Sequence, residues 1–195
     1  MMQRWGIRWN EDVGGMEFPV HDALGEFIGY IWRMPEGEMP KYRYPQGFPK
    51  ASLLYGLDRL NGRKRITLVE GPLDAVWLQE GGFPGVAILG SLLSKQQLAL
   101  LVEQGSHEVS LCFDNDTAGK LATEMATKML RRQGFWVYRI ELPAKHKDIQ
   151  EVPHEQLSAV MERRHVCING AGLIHPRYRR WLAEACKQEE SVWKY

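Results

Sequence analysis

Hydrophobic and polar positions follow different patterns in two parts of the chain. Residues 16–20 and 27–33 are rich in strand-forming side chains, and the turn-like link 21–25 between them predicts an antiparallel hairpin. Proline and glycine then recur at short intervals over 35–49, which indicates an irregular loop. We therefore expect residues 1–61 to form a small β-rich subdomain.

From residue 66 onward, short apolar runs alternate with helical patterns. The apolar runs predict strands over 66–69, 86–89, 109–113 and 135–142, and the segments between them predict helices over 72–80, 94–104 and 117–133, with a last helix over roughly 154–164. Pro72 suits a first helical turn, and Ser94 with Gln97 is a capping-box pair. This order predicts an α/β fold over 62–165, a parallel sheet with helices on both faces.

Composition and charge narrow the function classes. The chain has 195 residues, 44% of them hydrophobic and 25% charged, which is an ordinary globular balance and excludes a disordered or collagen-like protein. There are 25 Lys and Arg residues against 24 Asp and Glu residues. Because no bulk positive field exists, a nucleic-acid partner has to be held by local clusters or through metal ions.

The same composition predicts the compartment. The sequence has no signal peptide and no apolar run long enough to span a membrane, so a cytoplasmic protein without membrane association is expected. Its three cysteines form no Cys-x-x-Cys pair, which favours a reducing compartment and predicts no zinc site.

Acidic residues follow three of the predicted strands. Glu70 follows the first strand, Asp114 and Asp116 follow the third, and Asp148 follows the fourth. Ligands bind at the carboxyl edge of a parallel sheet, so these side chains are expected to meet there. Clustered carboxylates repel one another unless a cation lies between them, and an all-oxygen set favours Mg²⁺ or Mn²⁺.

Simpler structural roles remain open for some of these residues. Asp116 could cap the helix 117–133, and Asp114 could be an ordinary surface residue. Asp74 stands one helical turn after Glu70, where it either faces the same cavity or is solvated. The sequence contains neither a Walker loop nor a Gly-x-Ser-x-Gly elbow, so it does not support an ATP-driven motor or a serine nucleophile.

Several motifs in order resemble a known family. The segments VEGPLDA (69–75), AILGSLLSKQQ (87–97), LCFDNDTAG (111–119) and KD (147–148) resemble the Toprim domain of bacterial DnaG-type primases and their phage relatives. Upstream, FPVHD (18–22) with Gly25, Gly29 and Arg33 resembles the FPI-x-D and glycine-arginine stretch of the primase catalytic core. PKY (40–42) and the spacing of Lys50 to YGL (55–57) are similar to the family's template- and nucleotide-contacting stretch. The likeness covers about residues 15–152.

The resemblance implies an activity and a role for each matching residue. The activity would be RNA primer synthesis from nucleoside triphosphates on single-stranded DNA. Glu70, Asp114 and Asp116 would be catalytic, and with Asp148 they would hold two or more Mg²⁺ or Mn²⁺ ions. The residues implied to contact nucleotide or DNA are Arg33, Lys41, Tyr42, Lys50, Asp74 and Lys147. Spacing alone would leave the basic members of that set as ordinary strand or loop residues.

The chain also departs from the family pattern. The family often has an acidic residue two positions after the one matching Asp148, where this chain has Gln150. The zinc-ribbon and helicase portions are absent from the 195 residues, so we expect a stripped catalytic core that works with a separate zinc-module or replicative-helicase partner. The tail, 166–195, is predicted to be helical over 176–187, either packed on the domain or contacting a partner.

Two other functions remain open at this point. A Toprim metal-dependent nuclease would use the same acidic cluster to cut a strand instead of extending one. A non-catalytic nucleic-acid-binding accessory protein in replication or defence would need binding alone. A topoisomerase is disfavoured, because its tyrosine domain has no room in a chain of this length.

Overall fold

The computed structural model describes residues 1–167, which form two β-sheets and the helices that cover them. The predicted tail helix over 176–187 lies outside the described residues. Within the described part, no helix is long and apolar enough to cross a membrane.

The first sheet is antiparallel and contains the predicted hairpin. Its strands are β1 (Arg8–Asn10), β2 (Gly15–His21), β3 (Phe27–Arg33) and β4 (Tyr42–Arg43), in that spatial order. Phe18 lies opposite Ile31 across the hairpin, and both side chains are fully buried. Because side chains alternate along a strand, one face of this sheet is apolar and packs on the rest of the protein.

The second sheet is mostly parallel, as the alternating pattern predicts. Its strands are β5 (Arg65–Val69), β6 (Gly85–Ala87), β7 (Glu108–Leu111), β8 (Trp136–Ile140) and β9 (Arg164–Val166), in the order β6-β5-β7-β8-β9. One edge of the sheet is antiparallel, since β9 runs antiparallel to β8. β9 is short and exposed, so it carries no apolar run that the sequence could reveal.

Helices cover both faces of this sheet. They are α1 (Pro72–Glu80), α2 (Lys95–Glu103), α3 (Thr117–Arg132) and α4 (His154–Glu162). One core cluster joins Val69 and Leu78 to Phe18 of the antiparallel sheet, and another joins Leu111 to the helices α2 and α3. The predicted capping box is present: the Gln97 N–H donates to Ser94 Oγ at 3.0 Å, and the Ser94 N–H donates to Gln97 Oε1 at 3.0 Å.

The antiparallel sheet stands beside the carboxyl ends of the parallel strands. A side-chain carbon placed on Gly71, which directly precedes α1, would lie 3.3 Å from the hydroxyl of Tyr42 in β4. The ends of β3 and β4 therefore border the sheet edge where the acidic residues were expected. Tyr55 closes the outer side of β6 with two backbone hydrogen bonds to Ala87, of 2.9 and 3.0 Å.

Candidate active site

The acidic residues that follow the parallel strands come together at one edge of the sheet. Glu70 directly follows β5, and its Oε1 accepts a hydrogen bond of 3.1 Å from the backbone N–H of Asp114. The loops after β7 and β8 are joined by a 2.8 Å hydrogen bond from the Asn115 N–H to the Lys147 carbonyl. The segments that follow β5, β7 and β8 thus place their carboxylates at the same edge of the sheet.

The electrostatics of this edge are unfavourable without a cation. Burial raises the pKa of Glu70 to about 7, and the charge of Asp114 adds to the effect. The pKa of Asp114 is also raised, first by burial and then by Asp148, although Lys41 acts in the opposite direction. When carboxylates lie close together and are partly removed from water, the ionised form of each one is disfavoured. A divalent cation among them would relieve this penalty.

Asp116 and Asp148 also shape the backbone. The Gly119 N–H donates to Asp116 Oδ1 at 2.8 Å, so Asp116 does cap α3. The Gln150 N–H donates to Asp148 Oδ1 at 3.1 Å and starts the short 3-10 helix Ile149–Glu151. Capping does not remove Asp116 from the cluster, because its charge contributes to the raised pKa of both Glu70 and Asp114.

The donor chemistry of the cluster suits a hard divalent cation. Within residues 1–167, no group of three or more His, Cys, Asp or Glu side chains is already arranged to hold a metal ion. An ion would therefore have to draw the carboxylates together. All of them are oxygen donors, which Mg²⁺ and Mn²⁺ prefer. Burial first, and neighbouring carboxylates second, raise the pKa of Glu70 and of Asp114, so a cation among them would favour the ionised forms.

Asp74 is buried at the N-terminus of α1, which excludes the solvated helix residue that the sequence leaves open as an alternative. Its side chain is 4% exposed. Oδ2 accepts a 3.0 Å hydrogen bond from the Gly71 N–H, and Oδ1 accepts one from Gln150 Nε2. Burial raises the pKa of Asp74 to about 7, and the hydrogen bond from Gln150 partly offsets that rise.

The basic side chains from the antiparallel sheet reach the same edge. Arg33 Nη1 donates to the Tyr42 hydroxyl and to Gln150 Oε1, both at 3.2 Å. Lys41 Nζ lies 3.8 Å from Asp148 Oδ2. This lysine therefore offsets part of the negative charge of Asp148, and it also lowers the pKa of Asp114.

The other two predicted lysines occupy different positions. Lys147 is close enough to Asp114 to lower its pKa. Lys50 lies over the ring of Tyr44, with its Nζ 4.9 Å from the ring centroid. The Tyr44 hydroxyl donates to the Leu89 carbonyl at 3.0 Å, which places this pair near the end of β6.

Two features of the site escaped the sequence reasoning. The sequence identifies Gln150 only as a missing carboxylate, yet its side chain contacts both Arg33 and Asp74. Its position two residues after Asp148 is the sequence feature that indicates a place in the site. Gly119 is required by close packing, because a side-chain carbon there would overlap the Asp114 carbonyl. The glycine after the Asp-x-Asp pair thus keeps the loop tight.

A Toprim-like family profile matches residues 67–152, the segment that carries Glu70, Asp114 and Asp148. DNA primase from Clostridium acetobutylicum is 34% identical over 186 residues, which are 91% of this chain and 30% of the relative. DNA primase from Deinococcus radiodurans is 38% identical over 118 residues, 56% of this chain and 21% of the relative. Over most of its length, the chain is similar to DnaG-type primase catalytic cores. It spans less than a third of the length of these two primases.

Solved primase structures have the same fold. The Aquifex aeolicus primase, with zinc-binding and RNA polymerase domains, aligns with a TM-score of 0.66 and 28% identity over 78% of this chain and 41% of that one. The E. coli primase catalytic core aligns with a TM-score of 0.65 and 26% identity, over 78% of this chain and 53% of that one. A third match comes from the structure of bacteriophage T7 lagging-strand DNA polymerase with primase domains bound to an RNA/DNA hybrid and dTTP. One chain of that structure aligns with a TM-score of 0.63 and 26% identity, over 83% of each chain.

Proposed function

We propose that this chain is a primase catalytic core, which joins nucleoside triphosphates into an RNA primer on a single-stranded DNA template with the help of Mg²⁺ or Mn²⁺. The observation that carries the proposal is the meeting of carboxylates from three strand ends with cations from a second sheet. Glu70 and Asp114 supply the anionic side of the site, and Arg33 and Lys41 supply the cationic side. The primase relatives support the same activity.

The metal ions would be held by Glu70, Asp114, Asp116 and Asp148. When bound, such ions activate an attacking hydroxyl and neutralise the charge on the leaving group. The chain's own contribution is to fix the ligands. The Asp114 N–H orients the Glu70 carboxylate, and the caps formed by Asp116 and Asp148 hold their backbones in place. The protein thereby provides a preorganised arrangement of charge.

The polyanionic substrates would be held by the cations around the carboxylates. Arg33, Lys41 and Lys147 border the cluster and would contact nucleotide phosphates or the template backbone. A polar cavity of about 280 Å³ also opens beside Asp114 and is lined in part by Lys120 and Arg139. Because the net charge of the chain is only +1, these local cations have to supply the attraction.

Start-site recognition would come from a separate partner that carries a zinc-binding or helicase module, in the cytoplasm where the template is replicated. The solved Aquifex primase contains both zinc-binding and RNA polymerase domains, and this chain covers 41% of it. The presence of both kinds of domain in that relative supports a zinc-binding module as the kind of partner that would act with this chain.

A primer-synthesis assay tests the proposal. The full chain is incubated with labelled ATP and GTP, single-stranded DNA, and Mn²⁺ or Mg²⁺, and the products are separated by size. We expect short, ribonuclease-sensitive RNA whose yield falls roughly 100-fold in Asp114→Asn, because a metal ligand is lost. Glu124→Gln is the matched control, since it neutralises an exposed carboxylate on α3 and should leave the yield unchanged.

The alternatives give different products in the same assay. Degradation of the DNA strand, abolished by Asp114→Asn, would replace the primase proposal with a metal-dependent nuclease. Retained DNA binding with neither RNA synthesis nor degradation would indicate a non-catalytic accessory protein.

A further inference from the structure

Gln150 joins three elements that meet at the candidate site. Its Nε2 donates to Asp74 Oδ1 in α1, and its Oε1 accepts a 3.2 Å hydrogen bond from Arg33 at the end of β3. Its backbone N–H donates to Asp148 Oδ1 at 3.1 Å. One side chain therefore links the antiparallel sheet to the first turn of α1, next to a proposed metal ligand.

The amide is the side-chain group that satisfies both of its neighbours. Arg33 can only donate hydrogen bonds, and an ionised Asp74 can only accept them. A carboxylate at position 150 could accept from Arg33 but could not donate to Asp74. A glutamine presents its carbonyl oxygen to one neighbour and its NH₂ group to the other, which fixes the orientation of the amide.

Asp74 is fully engaged by these contacts. The Gly71 N–H donates to Oδ2 at 3.0 Å, Gln150 Nε2 donates to Oδ1, and only 4% of the residue is exposed. Each oxygen therefore already accepts one hydrogen bond before any ion arrives. A metal ion could reach the remaining lone pairs of Asp74 only by entering this buried position and displacing the groups that cover it.

Glu70 and Asp148 differ from Asp74 in this respect. Glu70 is half-buried and receives a single hydrogen bond, on Oε1, from the Asp114 N–H. The Oδ2 atom of Asp148 faces the flexible Lys41 ammonium at 3.8 Å, a long contact that a cation can displace. The oxygens that are accessible to an ion thus belong to residues other than Asp74.

We propose that Gln150 is a positioning residue that keeps Asp74 out of the metal-ligand set, so that divalent ions are held by Glu70, Asp114, Asp116 and Asp148 only. This inference rests on the metal-dependent function proposed above. Gln150 also fixes Arg33, whose second hydrogen bond goes to the Tyr42 hydroxyl at 3.2 Å. The same amide therefore orients one substrate-side cation and immobilises one carboxylate.

Mn²⁺ binding to the full-length protein tests the assignment without any turnover. Binding is measured by calorimetry and by electron paramagnetic resonance of free Mn²⁺, with thermal melts to confirm that each variant folds. We expect Asp114→Asn to weaken Mn²⁺ binding about tenfold or more and Asp74→Asn to change it less than about twofold. Equal weakening by Asp74→Asn and Asp114→Asn would overturn the inference while leaving the metal site intact. Failure of the wild type to bind Mn²⁺ would instead overturn the proposed metal-dependent function itself.

A second set of variants tests Gln150 directly. Gln150→Glu removes the donor to Asp74, so Asp74 becomes available as a ligand beside a new carboxylate. We expect about tenfold tighter Mn²⁺ binding and a lower melting temperature without metal. Gln156→Glu, an exposed change on α4, is the matched control and should alter neither quantity.

The double variant Asp74→Asn with Gln150→Glu provides the rescue. The introduced asparagine amide can donate to the introduced glutamate, which still accepts from Arg33, so the hydrogen bond is restored with its direction reversed. We expect the metal-free melting temperature to return toward that of the wild type. Unchanged Mn²⁺ affinity in Gln150→Glu, or a double variant no more stable than Gln150→Glu alone, would refute the positioning role.

Discussion

The metal-free protein is expected to lose stability as the pH rises from 5 to 8, because folding buries Asp74. Burial raises the pKa of this carboxyl group from an ordinary 3.8 to about 7. A group whose pKa is raised by folding binds its proton more tightly in the folded state. Its stabilising contribution is fully present below the ordinary pKa and is lost as the pH rises through about 7.

The size of the effect follows from the two pKa values. At pH 5, the folded protein holds the Asp74 proton and the unfolded chain has released it, whereas at pH 8 both forms are ionised. The difference amounts to roughly 2–3 kcal/mol of unfolding free energy between the two pH values. For a domain of this size it corresponds to a fall of roughly 5–10 °C in melting temperature. Glu70 acts in the same direction, since its pKa is also raised to about 7.

The assay is thermal and urea unfolding of the full chain at pH 5, 6, 7 and 8, with a chelator present. Asp74→Asn is the control, because asparagine does not titrate. In this variant the unfolding free energy should depend less on pH, and the difference from the wild type is the contribution of Asp74. Adding Mn²⁺ at 100 times its dissociation constant should restore about 2.7 kcal/mol at pH 8. It should restore less at pH 5, where protons compete for the carboxylates. Stability that rises from pH 5 to pH 8 in the chelated wild type would refute the electrostatic reasoning.

Three further predictions address the scaffold around the site. Gly119→Ala should displace the Asp114 carbonyl, because a side-chain carbon at position 119 would overlap that oxygen. Primer yield and Mn²⁺ affinity should each fall about tenfold or more, and unchanged values for both would contradict the close approach. Leu78→Ala should lower the unfolding free energy by about 2–5 kcal/mol in urea titration, because the side chain is fully buried in the core shared by the two sheets; a loss below about 1 kcal/mol would mean that the core repacks around the gap. Ser94→Ala should cost about 1 kcal/mol in the same titration by removing the cap of α2, and Ser158→Ala, which changes an exposed serine on α4, serves as its comparison.

Local sequence patterns predicted the regular elements well. The hairpin over 16–20 and 27–33, the helix beginning at Pro72 and the Ser94–Gln97 capping box are all confirmed, because each depends on residues close together in the chain. β1, β4 and β9 were missed, since strands of two or three exposed or part-exposed residues have no periodicity to detect. The strand predicted over 86–89 ends at Ala87, and Leu89 adopts a left-handed backbone with a φ of 57°.

The site was predictable in outline. Consecutive parallel strands bring their carboxyl ends to one edge, so the proximity of Glu70 to Asp114 followed from element order alone. The burial of Asp74 and its hydrogen bond from Gln150 did not follow, because the two residues are 76 positions apart and their contact depends on how α1 packs against the turn after β8. The roles proposed for the individual site residues stay predictions until the variants are measured.

The sequence by itself determined the main strands and helices and the acidic residues that would share one edge of the sheet, because hydrophobic period, helix caps and the order of elements along the chain can be read from local segments. Only the tertiary structure decided which carboxylates have accessible oxygens and which are already engaged by hydrogen bonds. Burial and side-chain pairing depend on contacts between distant segments. Those contacts exist only after the antiparallel sheet has packed beside α1 and the ends of the parallel strands.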